Sequence, residues 1–376
     1  GAAARSSSSS ETIGAGRVYS RGMSVLVAAA LFACTPPTDD PAADRGLLSG
    51  TPTGGSVTTG DTSTVPVADS DPSTTADTGF VRTSDTAPTA DTALSTDEIY
   101  DCSQPNPTIG PVSSTGYVTE EDFDFDPRGY LVSQRNRNIE GLDRYGTTKI
   151  YATNVGVDAA GLRVLSTGDL AVAQPDTGDV VLVDAKTGGS QPIFSGLSFP
   201  NSLAASSDGY VFVAEFASNG RVRMADPYTL EQWPVASGLD HPNGVELSPD
   251  EQTLYVTEGG EWGSGDSRIW AIPRISETVW GTPTVFYTPP AGAFLTIGMD
   301  VCGNLYIVEF TDGQLYRVSS DGVAEALLDV DNWGSYSSMR FGNGVGGFER
   351  DQLFITRRAE LYLIEVGIPG KKPVYF

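Results

Sequence analysis

Beyond residue 115 the chain is dominated by short runs in which apolar and polar residues alternate. In Val245-Glu246-Leu247 and in Leu254-Tyr255-Val256-Thr257 the pattern has the period of a half-buried strand. Pro242-Asn243-Gly244 precedes the first run and Ser248 to Gln252 separates the two. Both have turn chemistry, since proline fixes φ and Asn and Gly tolerate positive φ. The pattern predicts an antiparallel hairpin with a polar residue, Asn243, at its entrance. It also predicts a group of four strands, Gly244–Leu247, Leu254–Thr257, Arg268–Ile272 and Thr284–Tyr287. No helical periodicity of useful length interrupts these runs, which argues against a βαβ fold.

The group recurs along the chain. Aligned on the turn before each Leu-Tyr-Val-like strand, its turn position falls at Gly129, Gly168, Gly209, Glu251 and Gly303. A sixth, less regular unit runs from Met339 through Leu353-Phe354-Ile355-Thr356 to Tyr362-Leu363-Ile364. Strand-only repeats of about 40 residues predict an all-β, six-bladed β-propeller, which closes in a ring and so protects its sheet edges. The expected domain covers 101–376.

In a propeller the innermost strand of each blade lines a central channel, so equivalent positions form a ring. Counting back eight residues from each turn position gives Glu121, Ala160, Asn201, Asn243 and Leu295. An insertion around Gly344 to Gly347 leaves the sixth blade unphased. One carboxylate and two amide carbonyls are hard oxygen donors, suited to Ca²⁺ or Mg²⁺ and poor for zinc. The competing reading makes Asn201 and Asn243 turn formers after proline, and Glu121 a surface acid. Asp122, Asp124 and Asp126 alternate with Phe123 and Phe125, which reads as a strand with one acidic face. Gly342 to Gly347 has the letters of a dinucleotide fingerprint but no following helix, and reads as a blade loop.

The rest of the chain differs in kind. Residues 1–33 contain a short apolar run, Met23 to Phe32, preceded by Arg17 and Arg21, with the shape of a secretory signal. Leu31-Phe32-Ala33-Cys34 resembles a bacterial lipobox, which would make Cys34 a lipidated residue; an ordinary cleaved signal is the alternative. Residues 34–100 are Thr, Ser, Asp, Pro, Ala and Gly with few large apolar side chains. No core can offset the entropy of ordering such a segment, so it is expected to be a disordered tether. With Cys34 assigned to lipid, Cys102 and Cys302 remain as an even pair, and a disulfide between them is the natural hypothesis in an oxidising compartment. A formal charge of −25 argues against nucleic-acid binding. The single histidine, His241, nearly excludes His-based zinc sites and confines any Ser-His-Asp arrangement to its surroundings.

Asp240-His241-Pro242-Asn243-Gly244 through Ser248-Pro249-Asp250, with Leu254-Tyr255-Val256-Thr257-Glu258, resembles the hallmark of the senescence marker protein/gluconolactonase (regucalcin-like) family. Phe199-Pro200-Asn201 and Gly303-Asn304-Leu305-Tyr306 are similar to two further segments of it. The resemblance covers roughly residues 115 to 376. It implies a six-bladed propeller with a divalent cation, most often calcium, in the channel, and in many members hydrolysis of lactones or related esters. It implies Glu121, Asn201 and Asn243 as ligands of that ion. The family's fourth ligand, an aspartate that also serves as base, is replaced here by Leu295. Its substrate-contacting arginine is absent as well, with Phe199 and Pro200 in that place. His241 lies near enough in sequence to the channel mouth to be considered as an alternative base. Asp300, by register equal to Asp126, Ser206 and Ser248, reads as a turn residue.

The expected protein is therefore an exported, lipid-anchored, gluconolactonase-like monomer with a calcium-type site. It would sit in the bacterial cell envelope, as an outer-membrane lipoprotein or at the cell surface, touching the membrane only through its anchor. Its partner would be a small-molecule ligand or lactone, or a protein bound by the propeller loops. Loss of the family aspartate favours binding over turnover; the alternative is an active lactonase or esterase-type hydrolase.

Overall fold

Strand alternation in the sequence becomes six four-stranded antiparallel sheets in the structure, a computed structural model. It describes residues 100–156, 159–259, 267–290, 292–330, 334–357 and 360–376. The signal-like run, the lipobox with Cys34 and the tether lie outside the described residues. The innermost strands are Phe123–Phe125, Gly161–Val164, Pro200–Ala205, Pro242–Leu247, Phe294–Met299 and Tyr336–Phe341. Blades one to five each follow in sequence order outward from that strand. The protein is an all-β, six-bladed propeller.

The expected strands of blade four are Pro242–Leu247, Thr253–Glu258, Arg268–Pro273 and Thr284–Tyr287 in the structure, so the boundaries agree within two residues. The repeat register holds at the turns too. Gly129, Gly168, Gly209, Glu251 and Gly303 all have positive φ, and Glu251 reaches 55° without being glycine. Its Oε1 accepts a hydrogen bond from the Ser207 amide of blade three at 2.8 Å, which ties that turn to its neighbour.

Blade six closes the ring. Three of its strands come from Tyr336–Glu365, and its outermost strand is Ser113–Val118, paired antiparallel to Glu360–Glu365. Uniting an early strand with the last three leaves no gap between the first and last blades. The core sits between blades rather than at one centre. Phe212, Met224 and Ala204 of blade three pack on Val245, Leu247 and Val256 of blade four, and an equivalent layer fills each other blade-to-blade junction. Second strands such as Val211–Glu215 are buried throughout, which is why they read as continuous apolar runs. Each fully buried Phe, Leu or Ile side chain stabilises this packing by roughly 1.5–3 kcal/mol.

Cys102 and Cys302 form a disulfide that joins positions 200 residues apart, with Cα atoms 5.6 Å from each other. It fastens the segment before the first strand to the base of blade five. Along that segment Tyr100, Ile109 and Val112 pack on the core between blades five and six, and the Gly110 amide donates to the Glu365 carbonyl.

Candidate site at the channel mouth

The innermost strands begin in a shared way. Pairing shifts by one residue between Pro200 and Leu203, Pro242 and Val245, Phe294 and Ile297, and Tyr336 and Ser338. Such a bulge re-aims the side chain that it carries. The residues on these bulges include Asn201, Asn243, Leu295 and, from blade six, Ser337. Glu121 and Ala160 precede the two remaining inner strands at the same register. The insertion that hid the sixth position from the sequence lies after the strand, in the Gly342–Gly347 loop, where Val345 and Phe348 form an isolated bridge.

The expected ligand residues therefore occupy equivalent positions at one end of the channel. Asn243 is buried, Asn201 half-buried and Glu121 exposed. Ser337 Oγ donates to the Glu121 carbonyl at 2.8 Å, which joins blade six to blade one at the mouth. Neighbouring strands approach closely here: a Cβ on Gly161 would lie 2.3 Å from the Asn201 carbonyl oxygen, and one on Gly244 2.8 Å from that of Leu295. Among the described residues no group of three or more His, Cys, Asp or Glu side chains is arranged to hold a metal. A site here would rest instead on one carboxylate and two amide oxygens, completed by water, which suits a hard cation.

Three buried glutamates set the mouth, and the sequence reading missed them. Glu258 Oε2 accepts from the Asp240 amide at 2.8 Å, and Glu215 Oε2 from the Ser198 amide at 2.9 Å. Glu309 Oε1 accepts from the Ala293 amide at 3.1 Å. Each ends the second strand of its blade and grips the loop just ahead of a mouth residue. Arg268 and Arg221 neutralise the first two at 3.0 and 2.8 Å. The signal was present in Val-Ala-Glu215, Val-Thr-Glu258 and Ile-Val-Glu309, at one repeat position.

His241 and Phe199 hold the equivalent place before Pro-Asn, with φ of 52° and 50°. Both rings pack on Phe216, at 4.9 and 5.9 Å between centroids. His241 Nδ1 also meets Asp240 Oδ1 at 2.7 Å. These contacts give His241 a packing and loop-fixing role. Asp300 is fully buried at the opposite end of the strand. Its oxygens accept from the amides of Cys302 and Asn304, the side chain of Asn304 and the Tyr306 hydroxyl, at 2.8–3.0 Å. Burial nevertheless raises its carboxyl above the usual range. It is the turn residue that its register implies, and it does not replace the acid missing at Leu295.

Three residues below the mouth lies a second ring: Asp124, Arg163, Ala204, Glu246, Gly298 and Arg340. The acidic face expected of the first inner strand thus points into the channel. Asp122 binds this ring to its neighbours, accepting from the Leu162 amide at 3.0 Å and from Arg163 Nη1 at 2.8 Å. It accepts from Ser338 Oγ of blade six as well. Burial is the largest influence on Asp124 and pushes its carboxyl up to about 6, against the opposing pull of Arg163. Residues 369–376 cross the far end of the channel. Lys371 pairs there with Glu246, and the Tyr375 hydroxyl donates to the Phe125 carbonyl at 2.5 Å.

No family model and no curated relative matches the chain. Solved structures do. A gluconolactonase from Xanthomonas campestris is 19% identical with a TM-score of 0.56, the match covering 71% of this chain and 99% of that one. The fold is that of the gluconolactonase and regucalcin propellers. A structure described as a putative gluconolactonase is 16% identical with a TM-score of 0.57, over 70% of this chain and 94% of the other. A regucalcin from Agrobacterium tumefaciens, described as a calcium-binding protein, is 18% identical with a TM-score of 0.55, over 72% and 99%. At these identities the likeness is one of fold.

Proposed function

We propose that this protein is an exported, lipid-anchored propeller that binds a divalent cation, calcium above others, at the channel mouth through Glu121, Asn201 and Asn243. The observation that carries this reading is the state of the two amides. Asn201 and Asn243 stand at equivalent bulged positions, and no protein group among the described residues is hydrogen-bonded to either side chain. Neither amide is sealed from water, so both can turn an oxygen to an ion at the mouth. The donor set is all oxygen, which matches a hard cation. When bound, the ion would supply Lewis-acid polarisation to a ligand at the mouth. Among the described residues of the ring, Glu121 would be engaged by the ion, Leu295 and Ser337 are not proton-transfer groups and His241 is packed on Phe216, so the ring suits positioning that ligand better than moving a proton. Ligand binding, of a small molecule or of a protein by the loops, is the function this arrangement supports best. A monomer in the bacterial envelope, held by lipid at Cys34 through the 34–100 tether, completes the proposal.

Lactone or ester hydrolysis is the second reading, favoured by the gluconolactonases among the structural neighbours. One experiment separates the two. Calcium titration by calorimetry should show binding that Asn243→Ala abolishes, and calcium at about 100 times its Kd should stabilise the fold by about 2.7 kcal/mol. Equal melting in calcium and chelator, with no heat of binding, would reject the site. A panel of lactones and aryl esters should show no turnover; turnover lost in Asn243→Ala would establish the hydrolase.

A further inference from the structure

Asn201 and Asn243 are presented by the same four-residue device. In Ser198-Phe199-Pro200-Asn201 and in Asp240-His241-Pro242-Asn243 the second residue has a φ of 50° and 52° respectively. A bulky residue in the left-handed region costs free energy and persists only where its surroundings hold it there. The asparagine stands two residues further on, beyond a proline that fixes its own φ.

A buried glutamate holds each device from both sides. The backbone of Glu215 pairs with Pro200 and that of Glu258 with Pro242, at the last rung before each bulge. Their side chains reach back to the amides of Ser198 and Asp240, the residues just ahead of the left-handed ones. The neighbouring turn adds a second tie. The Phe216 amide donates to the Phe199 carbonyl and the His241 amide to the Ala217 carbonyl, both at 2.9 Å.

Blade five is the contrast. Glu309 grips the Ala293 amide in the same way, yet neither Ala293 nor Phe294 is left-handed. The mouth residue that follows is Leu295, whose side chain has no oxygen to aim. Blade six has the left-handed residue again, at Ser335, two ahead of the Ser337 that holds the Glu121 carbonyl. In these four blades the strained backbone precedes a polar mouth residue and is missing before the apolar one.

We propose that Glu215 and Glu258 are positioning residues of the cation site. By holding Phe199 and His241 in the left-handed region they fix the direction in which Asn201 and Asn243 offer their side-chain oxygens. The inference rests on the reading of the mouth as a calcium-type site. Outer partners of this kind orient the ligands of a metal, and their loss lowers metal affinity by about 10–100-fold.

Calcium titration by calorimetry, run beside thermal melts in chelator, tests this on the full chain. Glu258→Ala should raise the calcium Kd about tenfold or more. Glu258→Asp, which keeps the charge but draws its oxygens back by one methylene, should do the same and serves if the alanine variant does not fold. Glu258→Gln keeps an acceptor for the Asp240 amide and should recover most of the affinity. Asp300→Asn, at the opposite end of the inner strand of blade five, should lower the melting temperature in chelator and leave the Kd unchanged. Wild-type affinity in Glu258→Ala and Glu258→Asp, no recovery in Glu258→Gln, or an equal loss in Asp300→Asn overturns the proposal while the calcium site stands. No calcium bound by the wild type removes the site itself, and the proposal with it.

Discussion

Replacing Cys102 and Cys302 by serine removes a bond that closes a loop spanning 200 residues. In the chain-entropy account the stabilisation grows with the logarithm of loop length, and a loop of this size corresponds to about 5 kcal/mol. That is the upper end of the usual range, because the link reaches from the segment before blade one to the base of blade five. The contacts around it do not depend on the bond itself: Tyr100, Ile109 and Val112 pack on the core between blades five and six and should stay there in the variant. The loss should therefore act through the unfolded chain. Urea unfolding of the oxidised protein and the double serine variant, followed by tryptophan fluorescence, should give the same m-value change that a looser denatured state implies, with the variant's midpoint lower. Its melting temperature should fall by roughly 10–20 °C, at about 2–4 °C per kcal/mol for a domain of this size. A difference under about 1 kcal/mol would refute the reasoning. It would mean that the denatured chain already holds these two positions together.

Two further outcomes follow from the channel. Gly161→Ala places a Cβ against the Asn201 carbonyl oxygen, where only 2.3 Å is available. Unfolding titrations should show a loss of roughly 1–3 kcal/mol, and calorimetry a weaker calcium affinity, since Asn201 must shift. For Asp124 the folded carboxyl titrates at about 6 rather than 3.8, so the native state holds the proton more tightly than the unfolded chain. Its contribution is therefore most favourable below pH 3.8 and is lost as pH rises to about 6, by about 3 kcal/mol in all. Comparing the pH dependence of unfolding in wild type and Asp124→Asn should show this slope in wild type alone.

Strand order and register were legible because each blade repeats the same hairpin, with its turn in the left-handed region at Gly129, Gly168, Gly209, Glu251 and Gly303. The same register carried Asn201, Asn243 and Leu295 to the mouth and explained Asp300 as a turn residue. It stopped at Ser337, because the local repeat was broken by the Gly342–Gly347 loop. The charged ring lower down was harder to see. Glu246 alternates with Val245 and Leu247 as a solvent-facing residue would, and in an innermost strand that face is the channel. Nothing local could show that Arg163 and Arg340, far apart in sequence, share Asp122. Lys371 lies outside every repeat, and only the return of 369–376 across the channel brings it to Glu246.

The strand Ser113–Val118 has a consequence for how the chain reaches this state. Its partner, Glu360–Glu365, belongs to the last part of the domain to be synthesised. At roughly 5–20 residues per second the first strand waits tens of seconds with its backbone groups unclaimed. An unpaired edge of that kind invites the wrong neighbour. The sequence of this strand, Ser-Ser-Thr-Gly-Tyr-Val, is short, mostly polar and interrupted by Gly116 at a φ of 73°, with an irregular register against its eventual partner. It makes a poor template for a passing chain, and it becomes a good strand only when blade six is there to receive it.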